Sequence, residues 1–302
     1  MAQAKFIPLF KSTTGLNNAL DPVRISYDLK TGVTELAQAV NVNIDNSGRP
    51  SRRLGRTIKR AEASQCGFSD GETCLFVAGT TLYQMFPDYS RVALRTDLTA
   101  GARMRYYPIA GRIYYLNGYE RGYVFKGKDY TWEKGTFTAP GNPNTIYSNP
   151  PSGHLVSWFA SRALIAKDNA VFASISSFYG VFDLHGDMKL FPNRITMLRP
   201  TPNGLWVGTT SQVMFYQGTE WKKLKRVLKF GSGVIEGSDV VCPKDRIGAT
   251  SDEIIFTTPQ GICTGSEDGT FTNQTVNKLI FPSGRYASAA VVGDRYIVTI
   301  QA

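Results

Sequence analysis

The residues that could do chemistry in this chain are few, and their spacing argues against most of what they could do. Gly67-Phe68-Ser69-Asp70-Gly71 spells the G-x-S-x-G of a hydrolase nucleophile elbow, where a sharp strand-to-helix turn presents a serine to a base. The flanks deny it. Ala61 to Gln65 is polar where a buried strand is needed, and Glu72 to Ala78 has the pattern of a strand where a helix is needed, so a surface turn is expected. His154 and His185 are the only imidazoles, and neither lies in a catalytic signature. Cys66, Cys74, Cys242 and Cys263 show no C-x-x-C spacing, which leaves no zinc pattern and favours reduced thiols; a Cys66–Cys74 bridge across a hairpin stays open. Asp45-Asn46-Ser47-Gly48 and Ser266-Glu267-Asp268-Gly269 are acidic turns without the alternating oxygen ligands and closing glutamate of a calcium loop. No G-x-x-x-x-G-K-[ST] phosphate loop occurs. The expectation is a non-enzymatic protein with no catalytic, cofactor-binding or metal residue.

Two basic groups stand out as interface candidates. After an alternating segment from Ala39 to Ile44 and the Asp45 to Gly48 turn come Arg49, Arg52, Arg53 and Arg56, then Lys59 and Arg60. An ordinary solvated hairpin explains them, and so does a basic strand facing a polyanion or an acidic subunit. In WKKLKRVLKF, Trp221, Leu224, Val227 and Leu228 recur at helical spacing with Lys222, Lys223, Lys225 and Arg226 between them. That is a basic amphipathic turn, or a long strand with solvated lysines. The 15 Tyr, 17 Phe and 4 Trp could form stacking platforms for bases or sugars, but in sheets they more often pack across strands.

The elements that must position these groups are short strands. With 302 residues, 29 Gly, 15 Pro and 19% charged residues, the chain reads as turn-rich, globular and all-β. Its net charge of +10 suits nucleic acid, anionic surfaces or acidic neighbours. Lys5 to Phe10 reads as an edge strand. Strand pairs are expected around Gly79-Thr80, Ala110-Gly111 and Asn117-Gly118, the last a type I′ turn signal. Thr136 to Gly153 is proline-rich and aperiodic, a loop or linker within one domain. Further strands follow to Tyr296-Ile297-Val298-Thr299-Ile300, so the two chain ends could pair in one sheet. The N-terminus has no signal-peptide pattern, and no 18-residue apolar run occurs, so neither export by that route nor a membrane anchor is expected.

Aromatic strands placed directly after turns, as in Thr80-Thr81-Leu82-Tyr83, Gly111-Arg112-Ile113-Tyr114-Tyr115, Asn203-Gly204-Leu205-Trp206-Val207 and Pro259-Gln260-Gly261-Ile262, form a loose repeat. At roughly 40 to 45 residues per four-stranded blade, the length would hold about six or seven propeller blades.

A resemblance strengthens that reading. Gly15-Leu16-Asn17-Asn18, Asp21-Pro22-Val23-Arg24-Ile25, Leu36-Ala37-Gln38-Ala39-Val40-Asn41-Val42, Ile44-Asp45-Asn46-Ser47-Gly48-Arg49 and Ser51-Arg52-Arg53-Leu54-Gly55 follow one another in order. So do Arg194 to Pro200, Gly204 to Thr209 and Phe215-Tyr216-Gln217-Gly218. This wording resembles tailed-bacteriophage virion proteins of the β-propeller tail hub and nozzle type. The resemblance implies a structural protein made in the bacterial cytoplasm and built into a virion tail, where it forms a ring with copies of itself. It further implies contacts with other tail or connector proteins and passing contact with phage DNA during ejection. The alternative is a propeller that binds a host-surface glycan or decorates a capsid.

Overall fold

The computed structural model describes residues 12–28, 30–45, 47–55, 57–58, 61–135, 137, 145–284, 286–293 and 295–301. Within them the chain is all-β, with one short helix, α1 (Lys244–Ile247). The described residues from Ser12 to Arg52 contain two small sheets. One joins β1 (Ser12–Leu16), β2 (Tyr27–Asp28) and β3 (Val33–Leu36); the other is a hairpin of β4 (Val42–Ile44) and β5 (Pro50–Arg52).

Five antiparallel meanders of consecutive strands follow. They are β6 (Gln65–Ser69), β7 (Cys74–Ala78), β8 (Thr81–Met85) and β9 (Arg91–Arg95); then β10 (Arg105–Ile109), β11 (Arg112–Leu116), β12 (Arg121–Phe125) and β13 (Lys128–Thr131). The third has β14 (Leu155–Phe159), β15 (Arg162–Lys167), β16 (Ala170–Ile175), β17 (Phe178–Phe182) and a short β18 (Met188–Leu190) beside β16. The fourth has β19 (Ile195–Thr201), β20 (Gly204–Thr209), β21 (Val213–Gln217) and β22 (Lys225–Phe230). The fifth has β23 (Val240–Cys242), β24 (Glu253–Thr258), β25 (Gly261–Gly265) and β26 (Phe271–Asn273), and a hairpin of β27 (Ala287–Val292) and β28 (Arg295–Ile300) ends the series.

Period-2 side-chain alternation decides how these sheets stack, because successive residues of a strand point to opposite faces. In β20, Leu205 and Val207 pack against Leu155, Leu164 and Val171 of the preceding sheet. Trp206, between them, packs against Ile254, Phe256 and Cys263 of the following one. β11 does the same, with Ile113 and Tyr115 against Leu75 and Leu82, and Tyr114 and Leu116 against Val156 and Ile165. Each junction between consecutive meanders therefore has its own apolar core.

Polar clasps sit at the rims of these cores. Trp132 Nε1 donates to Tyr179 O at 3.0 Å, and Trp206 Nε1 donates to Ser266 O at 2.8 Å, so each buried indole is tied to the next sheet. Arg95 of β9 donates to the Tyr115 hydroxyl at 3.3 Å, and that hydroxyl donates to Asp129 at 2.6 Å.

Several expectations are corrected. Of the two readings left open for Trp221 to Phe230, the strand holds from Lys225 on, after one 3-10 turn (Trp221–Lys223), because pairing with β21 satisfies the backbone that a helix would otherwise satisfy. The expected Ala39 to Ile44 strand shortens to Val42–Ile44, and its apolar side is only half-buried. Asn117-Gly118 is not a two-residue turn: Leu116 pairs with Arg121, and Asn117 Oδ1 accepts the Tyr119 and Glu120 N–H groups across a wider loop. Among the described residues β28 pairs only with β27, and residues near the two ends meet through Asn18, whose Nδ2 donates to Ile280 O at 3.0 Å. The Lys5 to Phe10 strand lies outside the described residues.

The stacking is testable at Gly265, where a Cβ would lie 2.7 Å from the Trp206 indole. Gly265→Ala is expected to cost about 1–3 kcal/mol by overpacking, whereas Gly55→Ala, with no atom within 4 Å of its added Cβ, is expected to be near neutral. Equilibrium denaturant unfolding of both variants checks the difference.

Candidate functional site

Two regions compete for the role of functional site: the predicted basic interface and a cleft where the meanders converge. The Ser69 alternative falls away first. Ser69 is an exposed strand end, its Oγ accepts the Gly71 N–H at 3.2 Å, and β7 follows where a helix is needed. His185 is an exposed turn residue. The four cysteines are free thiols, and Cys66 Sγ accepts the Met104 N–H. Asp45 and Asp268 spend their carboxylates on the N–H groups of Ser47, Arg49 and Thr270 within their own turns. Among the described residues no group of three His, Cys, Asp or Glu side chains is placed to hold a metal ion.

The predicted basic residues form two separate groups. Arg49, Arg52 and Arg53 all lie exposed on the β4–β5 hairpin, with Arg53 Nε donating to Val42 O and Asn43 Oδ1; Arg56 lies outside the described residues. The hairpin is pinned at its turn, where Thr13 N donates to Gly48 O at 2.8 Å. In the second group, Lys222 pairs with Asp187 at 3.2 Å and Lys223 with Glu220 at 3.0 Å, so both are engaged within the chain. Lys225 and Arg226 remain exposed on β22, at the edge of the fourth sheet.

The cleft, of about 980 Å³, draws its walls from all five meanders and the final hairpin. Much of its polar lining comes from the approaches to first strands: Arg103, His154, Arg194 and Tyr286 stand one or two residues before theirs, and Glu236 four residues before β23. β10, β14 and β19 lie side by side and β23 lies beside β27, so their approaches converge at one end of the fold. Glu236 is the buried hub. Its carboxylate is 3.4 Å from Arg194 and 4.0 Å from Arg105, and its carbonyl accepts the Ala287 N–H at 2.8 Å. Gly237 follows with φ +93, and a Cβ there would meet the Ala287 carbonyl and Arg105, so the chain can pass only as glycine.

Arg103 reaches the final hairpin, with Nη2 donating to Ala287 O at 2.7 Å and its guanidinium 4.9 Å from the centre of the Tyr286 ring. Burial, reinforced by the positive charge of Arg105, lowers the Arg103 pKa. His154 Nε2 lies 2.6 Å from Ile195 O, which selects the neutral tautomer carrying the proton on Nε2. The sequence reading missed this cluster. Its signal is a polar or aromatic residue at each first-strand approach, visible only once the repeats are aligned.

Burial holds the His154 pKa below its ordinary 6.5, overriding the opposing effect of the Ile195 carbonyl. A depressed histidine pKa means that the unfolded chain binds the proton more readily, so stability is full above about pH 6.5 and declines as pH falls below it. His154→Gln is expected to flatten the dependence of Tm on pH between about 7 and 5, as thermal unfolding across that range would show.

No family model matches this chain, and neither does any curated protein. Similar solved structures include the extracellular domain of BT4673 from B. thetaiotaomicron, at TM-score 0.47 and 10% identity, covering 78% of this chain and 30% of that one. The Pan2 WD40 domain of Neurospora crassa gives TM-score 0.46 at 8% identity, over 71% of this chain and 66% of that one. PorZ, a bacterial surface component of the type-IX secretion system of Porphyromonas gingivalis, gives TM-score 0.42 at 8% identity, over 81% and 36% respectively. The chain thus spans about a third of the length of the BT4673 extracellular domain and of the PorZ chain.

Proposed function

We propose that this chain is a non-enzymatic structural protein of a tailed-phage virion, a six-bladed propeller whose N-terminal arm joins it to copies of itself in a ring around the DNA path. In this reading the five meanders are full blades and the β27–β28 hairpin is the sixth. The observation that supports it is the surface of the arm. Val23 is 91% exposed, Val40 71%, Leu54 90% and Ile58 81%, whereas the meanders bury their apolar faces against one another. Arg49, Arg52 and Arg53 stand among these side chains. Apolar side chains this exposed, interleaved with arginine, fit the composition of a protein interface core, where arginine is enriched.

Arginines on an arm can pair with carboxylates of a neighbouring copy and still leave a lumen that releases DNA, whereas cations lining the lumen would hold phosphates. The phage assignment itself rests on the resemblance of residues 15–55 and 194–218 to tail hub and nozzle proteins. A glycan-binding propeller is the second reading, favoured by the partly exposed Tyr123–Tyr130 stack, with centroids 5.2 Å apart.

Reversing the charge of Arg49, Arg52 and Arg53 to Glu, and separately replacing Leu54 and Ile58 by Ser, is expected to lower self-association by at least tenfold without changing Tm. Mass photometry across a concentration series reads the first and thermal unfolding the second. Unchanged assembly by both variants, or a wild-type chain that stays monomeric with its virion partners present, would remove the proposal.

A further inference from the structure

The convergent cleft holds more positive charge than its own carboxylates neutralise. Arg103, Lys167 and Arg194 line it, with Arg105 beside the buried Glu236, and the carboxylates there are Glu236 and Asp168. Arg194 is shared between those two acids, at 3.4 Å from each, and Arg105 stands 4.0 Å from Glu236. That leaves Arg103 and Lys167. Arg103 gives one hydrogen bond to a backbone carbonyl while its Nε has no acceptor, and Lys167 has no ion-pair partner among the described residues. His154, held neutral by its burial, adds no further charge.

We propose that this cleft is a binding site for a small anion bearing carboxylate or phosphate groups, held chiefly by Arg103 and Lys167. The two come from different sheets, Lys167 at the end of β15 and Arg103 on the approach to β10. A guanidinium and an ammonium facing one cavity suit a ligand with several anionic oxygens, the first as a planar fork and the second as a point charge. At about 980 Å³ the cleft exceeds the volume of an inorganic anion and lies at the upper end of the range typical of small-molecule sites. Arg103 also bonds Ala287, at the start of the final hairpin, so a bound anion would bridge the second and third meanders to that hairpin. This inference does not depend on self-association, since the cleft is built within one chain.

The test is calorimetric titration of the full chain with inorganic phosphate, with citrate and with neutral sorbitol, at ionic strength matched by sodium chloride. Saturable binding of phosphate or citrate near one per chain, with no heat from sorbitol, is expected; the stronger of the two anions identifies the preferred head group. Lys167→Gln changes an exposed side chain with no described partner and is expected to weaken binding at least fivefold while leaving Tm unchanged. Arg103→Lys keeps the charge but loses the fork and is expected to weaken binding as well. Replacing Lys225 and Arg226 by Gln, on the outer edge of the fourth sheet, is expected to leave binding intact. No saturable binding, or equal weakening by the Lys225 and Arg226 replacement, would overturn the proposal, the latter by showing that overall surface charge draws the anion.

Discussion

The rest of this fold depends on the inner strands of the central meanders burying both of their faces. A four-stranded meander with one wet face could stand at the surface of a protein, but the inner strands of the central meanders have none. Leu205 and Val207 face one core while Trp206 faces the next, and the same division holds at Ile113, Tyr114 and Tyr115. A one-residue slip of β20 would exchange the two sets and leave both cores mismatched, so register is fixed from two sides at once. The clasps from Trp132 and Trp206 to the next sheet then fix the angle as well as the contact.

A functional consequence follows from the same stacking. When meanders pack face to face in chain order, the approaches to their first strands gather at one end, and the side chains there become neighbours whatever their sequence separation. Arg103 and Ala287 are 184 residues apart and share a hydrogen bond. Glu236 is buried at that convergence, and the arginines around it neutralise a charge that burial would otherwise penalise by several kcal/mol.

Much of the architecture was legible in the sequence. The strands around Leu75, Ile113, Trp206 and Phe256 were marked by apolar runs between turn residues, and the absence of a helix after Ser69 could be read from Glu72 to Ala78. What was not legible came from long-range partners. The Trp221 to Phe230 segment fits a helical turn and a strand alike, and only the edge of β21 decides for the strand. Asn117-Gly118 carries a tight-turn signal that the side-chain amide of Asn117 resolves into a wider loop. The cleft was hidden because no single stretch contains it: Arg103, His154, Arg194 and Glu236 are unremarkable one at a time, and only the stacking of sheets makes them a site. The basic hairpin was found as a unit, yet its strands are shorter than their alternation suggests because the described chain only half-covers their apolar side.

The central claim is that the arm, unlike the meanders, is completed by another copy of the chain. Amide hydrogen exchange compared between dilute monomer and assembled protein tests this most directly. The account predicts new protection confined to residues 20–58 and to the surface that receives them, with exchange in the meander cores unchanged. Assembly that leaves the arm exchanging as freely as in the monomer, with protection appearing only elsewhere, would contradict it.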